Sequence, residues 1–285
     1  MKNINFVVRE IGEIYSLDFI ISEFLKYGIK WNVYVVPYNS DLKLMNVSDI
    51  FSKYQNVSVI NGENGLNQKC LGFKTDISGK YEKCIKSEID VYKLASCMPS
   101  DLGINLDSVE RYEIIVSNVK INDKNPNKEY NPQMWQLLGQ LPYKIAVVPR
   151  HPFPHNFLNN IDIPKNVTII NKVGVLKSLC AKTSLVVMGK IFSNPEGEMD
   201  HSPLEATIRS NAISGYYSKI EKAYQKFYEE SGLIHRYKSF SDSIEDIPEL
   251  INDVNLYHKL ENKKNWIEKN KQIYMSRVLN ILLNI

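Results

Sequence analysis

Three short stretches of this chain carry side chains whose type and spacing suit group-transfer chemistry. In REIGE, residues 9–13, a glycine that permits a tight backbone is followed at once by Glu13, where an amphipathic helix begins. A carboxylate in the first turn of a helix is favoured by the dipole, and one aimed at a substrate can take a proton from an attacking hydroxyl as a general base. A glycine turn followed by a well-placed acidic residue accounts for the same letters in purely structural terms. In VVPRHP, residues 147–152, Arg150 leaves a strand at its carboxyl end, where a guanidinium can clamp a phosphate through two parallel hydrogen bonds. A surface ion pair is the alternative. His151 and His155 have the spacing of a ligand pair, but Pro152 and Pro154 rule out the helix that would bring them together, so no metal is expected.

The third stretch is MDHSPLEATIRSN, residues 199–211. Ser202 as N-cap, Pro203 at the first helical position and Glu205 three residues after the cap spell a helix start. A helix N-terminus after a loop also suits an anion, and a carboxylate there can accept hydrogen bonds from sugar hydroxyls. Gly174 opens another helix after the strand NVTII. The P-loop and GxGxxG fingerprints are both absent, so any nucleotide is held in another way.

The elements that must position these residues alternate between strand and helix. INFVV (4–8) reads as a strand, and Ile14, Leu17, Ile20, Ile21, Phe24 and Leu25 then fall at helical spacing before Gly28. WNVYVVP (31–37) is the next strand. This is a right-handed crossover unit with a parallel pair, and its first loop lies at the strand end where such sheets bind ligands. Residues 61–110 give weak signals. RYEIIVSNVKIND (111–123) returns as a strand, and the Pro- and Asn-rich 123–133 suits a linker. The second half alternates again: strands at 144–148, 166–170, 184–189 and 212–215, with helices over 173–182 and from Pro203. A helix follows over 219–231, stopped by Gly232. Helical segments near 243–254 and over 262–283 close the chain, the last long enough to reach back over the first domain.

A length of 285 residues suits two domains, here 1–135 and 136–285. The expected fold class is α/β, with two Rossmann-like domains facing each other across a cleft, a preferred place for small-molecule sites. A net charge of only +3 gives no global field for nucleic acid. Cys70, Cys84, Cys97 and Cys180 form no Cys-x-x-Cys pair, which argues against a zinc or redox motif and fits reduced thiols. With no secretory pattern and no apolar run near 18 residues, a cytoplasmic location is expected.

Taken in chain order, these stretches resemble one family, the Kdo transferases (3-deoxy-D-manno-octulosonic acid transferases), which have the GT-B fold. REIGE and its helix resemble the family's Ser-Val-Gly-Glu segment, and VSNVKIND (116–123) is similar to its Thr-Gly-Asn-Leu-Lys-Phe-Asp. VVPRHP matches its Pro-Arg-His-Pro. VGVLKSLCAKTSLVVMGKIF (173–192) tracks its Gly-Glu-Leu helix and next strand, and HSPLEATIRSNAISG (201–215) its His-Asn-Pro-Leu-Glu-Pro helix.

The resemblance implies inverting, metal-independent transfer from a nucleotide sugar, with CMP favoured, to a hydroxyl of a glycan or glycolipid. Glu13 would be the base, with Arg150, Gly174, His201, Ser202 and Glu205 on the donor and Glu205 on its ribose. No cofactor, no nucleic acid and at most peripheral membrane contact are implied. The chain also departs from the pattern. The Ser-Thr-His-x-Gly-Glu segment has no counterpart between residues 123 and 144. Met199 and Asp200 replace a glycine pair, Ser202 replaces Asn and Val175 replaces Glu. A second expectation is therefore an inactive GT-B relative that binds a nucleotide sugar or a protein.

Overall fold

The computed structural model describes residues 2–8, 11–26, 28, 31–37, 47–59, 70–72, 84–86, 110–119, 132–149, 162–172, 175–192, 203–216, 227 and 229–283. They belong to two compact units, Met1–Ser100 with Ile267–Ile285, and Asp101–Trp266. The division thus falls at residue 100, not 135. The apolar strand Ile114–Val119 finds its partners in the second unit, so the polar stretch 123–133 connects elements within that unit.

In the first unit β1 (Lys2–Val8) leads into α1 (Ile11–Lys26) and β2 (Trp31–Pro37). Then come α2 (Val47–Phe51), β3 (Val57–Val59), β4 (Cys70–Gly72) and β5 (Cys84–Lys86). The strands pair in parallel in the order β3-β2-β1-β4-β5. Ile14, Leu17, Ile20, Ile21 and Phe24 of α1 are buried as their spacing requires, while Leu25, in the last turn, is exposed. Asp18 of α1 accepts a hydrogen bond of 2.7 Å from Tyr54 Oη and pairs with Lys53 at 2.9 Å, which ties the turn after α2 to α1.

The second unit begins with β6 (Ile114–Val119), α3 (Pro132–Gln140), β7 (Ile145–Pro149) and β8 (Val167–Ile169). It continues with α4 (Leu176–Cys180), β9 (Leu185–Met188), a 3-10 turn at Gly189–Phe192, α5 (Pro203–Ala206) and β10 (Asn211–Gly215). β11 (Ile234–Tyr237), a 3-10 turn at Ser241–Asp246 and α6 (Ile247–Ile251) follow. The last helix, α7 (Leu256–Leu283), gives residues up to Trp266 to this unit and the remainder to the first. The parallel sheet has the order β11-β10-β9-β6-β7-β8.

These strands read as nearly unbroken apolar runs because both faces of the sheet are covered. Ile114, Val116, Ile145, Val147, Leu185, Val187 and Ile213 share one core with Met134, Trp135 and Leu138 of α3 and Ile247 and Leu250 of α6. The alternate residues Ile115, Ala146, Val186 and Ala212 are buried as well. Each such Val or Ile contributes roughly 1.5–3 kcal/mol by leaving water. Asn166 closes the end of α3 by donating to the carbonyls of Leu138 (3.0 Å), Leu141 (2.9 Å) and Tyr143 (3.2 Å). Among the described residues no helix is long and apolar enough to cross a membrane.

β11 carries a half-buried histidine. The Nε2 of His235 is buried with no hydrogen-bond partner among the described residues. Burial pushes the imidazole pKa down, Lys259 pushes it the same way, and Asp253, Asp246 and Glu249 oppose it. As pH falls through the ordinary histidine value of about 6.5, the unfolded chain takes a proton that the folded one still refuses. Stability is therefore expected to fall below that pH and to be unaffected by this group above it. Urea denaturation of the parent and His235→Leu at about pH 7.5 and about pH 5.5 checks this, with a smaller acid loss expected in the variant.

Candidate functional site

Both sheets reverse strand order once. In the first unit the chain runs outward through β1, β2 and β3, then returns to place β4 on the other side of β1. In the second it runs outward through β6, β7 and β8, then returns to place β9 on the other side of β6. The crossovers leave such a pair of central strands in opposite directions, so a crevice opens at their carboxyl ends, where doubly wound sheets hold ligands.

At the first of these points β1 ends at Val8, and α1 starts at Ile11. The helix begins earlier than the sequence indicates, so Gly12 lies inside its first turn and Glu13 is its third residue. The backbone thus puts Glu13 in the helix turn that follows the central strand, next to the switch point of its sheet.

At the second point the local backbone is unusual. Asn118 has φ 56°, the left-handed region that Asn tolerates better than most side chains, and the β6–β7 register shifts between Ser117 and Val119. On the other side β6 pairs with β9 as far as Ser117 and Met188. The next residue, Gly189, packs so closely that a Cβ there would lie 2.5 Å from the Ser117 carbonyl oxygen and 3.0 Å from the Val119 nitrogen. Ser117 is buried, and Asn118 is half-buried.

Two short helices pack on this sheet and on each other, α4 against β6 and α5 against β9 and β10. α5 starts at Pro203, as its sequence indicates, and Glu205 is half-buried in its single turn. α4 starts after Val175, which makes no side-chain cap, and Lys177 is its second residue. Glu205 acts electrostatically on two α4 groups. Burial lowers the Lys177 ammonium pKa, and Glu205 raises it. Burial pushes the Cys180 thiol well up, Glu205 adds to this, and Lys263 opposes it. Cys180 is a free, buried thiol.

The carbonyls from Pro203 to Thr207 all accept hydrogen bonds. The Pro203 carbonyl accepts from the Thr207 amide at 3.1 Å and from Thr207 Oγ1 at 2.9 Å. The Glu205 carbonyl accepts from the Ile208 amide at 3.3 Å, and that of Ala206 from Ser210 Oγ at 3.4 Å. Lys263 Nζ of α7 donates to the carbonyls of Leu204 at 2.7 Å and Thr207 at 2.6 Å, and Thr207 Oγ1 also reaches that of Leu204 at 3.5 Å. Asn211, where β10 begins, donates to the Leu250 carbonyl at 2.9 Å and to Asp253 at 3.0 Å.

Of the residues singled out from sequence, Glu205 and the backbone of Glu13 are therefore placed, each in a first helical turn of its own unit. Arg150, Gly174, His201 and Ser202 lie outside the described residues. Sequence reasoning missed Asn118, Gly189, Lys177 and Lys263. Asn118, Lys177 and Gly189 stood inside stretches quoted for the resemblance, without a role of their own. Among the described residues no three His, Cys, Asp or Glu side chains gather as a metal site would require.

No protein-family model matches this chain, and none of the curated proteins matches it in sequence. Solved structures match in fold. HepE of Anabaena, in complex with UDP and glucose, is 11% identical with a TM-score of 0.57, over 100% of both chains. CalG4, the calicheamicin glycosyltransferase, is 10% identical with a TM-score of 0.53, over 98% of this chain and 99% of its own. The glycosyltransferase SnogD of Streptomyces nogalater is 8% identical with a TM-score of 0.51, over 94% and 95%. The fold is accordingly GT-B, built of two Rossmann-like units.

The left-handed residue at the second switch point can be tested directly. Glycine adopts φ 56° without strain, whereas a β-branched residue there costs about 1–2 kcal/mol. In urea denaturation Asn118→Gly should stay within about 0.5 kcal/mol of the parent and Asn118→Val should lose about 1–2 kcal/mol. An equal loss in both would mean that the carboxamide, not the backbone, fixes this position.

Proposed function

We propose that this chain is a glycosyltransferase that moves a sugar from a pyrimidine-nucleotide donor to an acceptor hydroxyl with inversion. The observation that carries the proposal is the GT-B fold itself, matched over the full length of HepE, with an acidic residue in a first helical turn of each unit. The resemblance to the Kdo transferases gives each acid its role. The donor class rests on two leads that agree. That resemblance points to CMP, and HepE was solved with UDP and glucose, so both nucleotides carry a pyrimidine base. The acceptor proposed is a glycan or glycolipid hydroxyl, met in the cytoplasm with at most peripheral membrane contact.

In the proposed reaction Glu13 accepts the proton of the acceptor hydroxyl as its oxygen attacks the anomeric carbon from the face opposite the nucleotide. The bond to the nucleotide phosphate breaks, and the phosphate leaves with the bonding electron pair. Arg150, which directly follows the last residue of β7, takes the charge that develops there. One preorganised donor of this kind contributes roughly 3 kcal/mol to the transition state. Glu205 accepts hydrogen bonds from the ribose hydroxyls, and its charge favours the ammonium of the half-buried Lys177 on α4.

A thermal-shift screen of CMP-, UDP- and GDP-sugars tests the donor class. A ligand at a hundred times its dissociation constant adds about 2.7 kcal/mol to the folded state. The pyrimidine compounds are expected to raise Tm, and a response confined to GDP-sugars would overturn the assignment. Glu13→Gln should lower kcat by about 100-fold or more while donor affinity holds. A parent protein without turnover against any acceptor would favour the inactive, nucleotide-binding relative. Glu205→Gln keeps a residue able to close a capping box, so its stability should match the parent while nucleotide affinity falls about tenfold.

A further inference from the structure

α5 is a single turn, too short to hold its own geometry, and the chain passes from it into β10 at Asn211 within a few residues. What fixes it must come from outside the helix. Thr207 and Ser210 serve the carbonyls of Pro203 and Ala206 from the same segment. The Thr207 carbonyl instead takes its hydrogen from Lys263, and so does that of Leu204 at 2.7 Å, where Thr207 Oγ1 reaches only 3.5 Å; Lys263 arrives from α7, 56 residues beyond Thr207 in sequence.

Lys263 is only 4% exposed. An ammonium group hidden from water is costly unless its hydrogens find acceptors, and here it meets carbonyls at the negative end of a helix. An apolar side chain could fill the same space, but it could not donate to those carbonyls. The charge is therefore placed where it grips backbone, and Glu205 is the residue between the two gripped carbonyls that bears a carboxylate. A tilt of α5 moves that carboxylate with it.

We propose that Lys263 is a positioning residue for nucleotide binding, holding the turn of α5 so that Glu205 meets the ribose. The proposal rests on the ribose role of Glu205. Lys263 acts through the backbone of α5 and touches no part of the nucleotide.

Calorimetric titration of UDP and of CMP into the full chain tests this, using Lys263→Met, Lys263→Arg, Glu205→Gln and the two double variants. Lys263→Met should weaken binding about tenfold, and Lys263→Arg, which keeps the charge on a broader head, about threefold. Neither should weaken binding further once Glu205 is Gln, because the group being positioned has already lost its charge. A merely structural lysine would instead give additive losses, and additivity overturns the proposal. So does a folded Lys263→Met protein with the parent's affinity. If Lys263→Met does not fold, Lys263→Arg decides: parental affinity overturns the proposal, and a loss that vanishes beside Glu205→Gln supports it. Unchanged affinity in Glu205→Gln alone is a different failure, since it removes the ribose role and this proposal with it.

Discussion

The second unit is organised around one central strand that is paired on both sides until its backbone is forced to stop. β6 holds β7 on one edge and β9 on the other, both parallel, over the apolar run Ile114–Val116. Beyond Ser117 the two ladders no longer agree, because the register on the β7 side shifts while the chain on the β9 side turns away at Gly189. Asn118 absorbs the mismatch in a left-handed conformation, and the missing side chain of Gly189 lets the two backbones approach. The hydrophobic core fixes how far the strands stay together, and their pairing ends at the switch point, where sheets of this kind bind ligands.

A second constraint comes from the C-terminal helix, whose charged side chains include some used as interior anchors. In the second unit Lys263 closes the end of α5. In the first, Lys271 lies 3.3 Å from Glu23 of α1, and that carboxylate, almost fully buried, also pairs with Lys26 at 2.7 Å. Lys271 Nζ further sits 5.8 Å from the ring centre of Phe19. Each contact lies within one unit, and each ties α7 to a helix that carries one of the two acids assigned a role in transfer. Buried charges of this kind add less net stability than apolar packing would, but removing one partner leaves the other stranded, so they hold geometry firmly.

Sequence reasoning read the first crossover well because its signals agree. Period-two strands flank a helix whose apolar spacing is unbroken, and Gly28, at φ 70°, ends the helix as a glycine should. It failed where a local signal was misleading. The prolines and asparagines of 123–133 suggested a domain linker, although β6 before them is tied to β7 and β9 by pairing that no local pattern reveals. The same breaker obscured α3, whose Met134, Trp135 and Leu138 are at helical spacing and buried. β11 escaped because His235 and Arg236 interrupt its apolar character at the edge of the sheet. Lys263 was invisible for a deeper reason: lysine is almost never fully buried, and only the carbonyls it serves explain the exception.

Glu205 joins these levels, since its letters read equally well as a helix start and as a ligand contact. Every carbonyl from Pro203 to Thr207 has a donor from Thr207, Ile208, Ser210 or Lys263, and Thr207 adds its hydroxyl to the first two of them. The end of α5 is therefore held without the Glu205 carboxylate. A capping box would use that carboxylate at the opposite end, for one amide, in a turn already anchored by a buried charge. On the proposed reading this redundancy leaves a half-buried acid, set against Lys177, able to exchange its hydrogen bonds with a ribose while α5 stays in place.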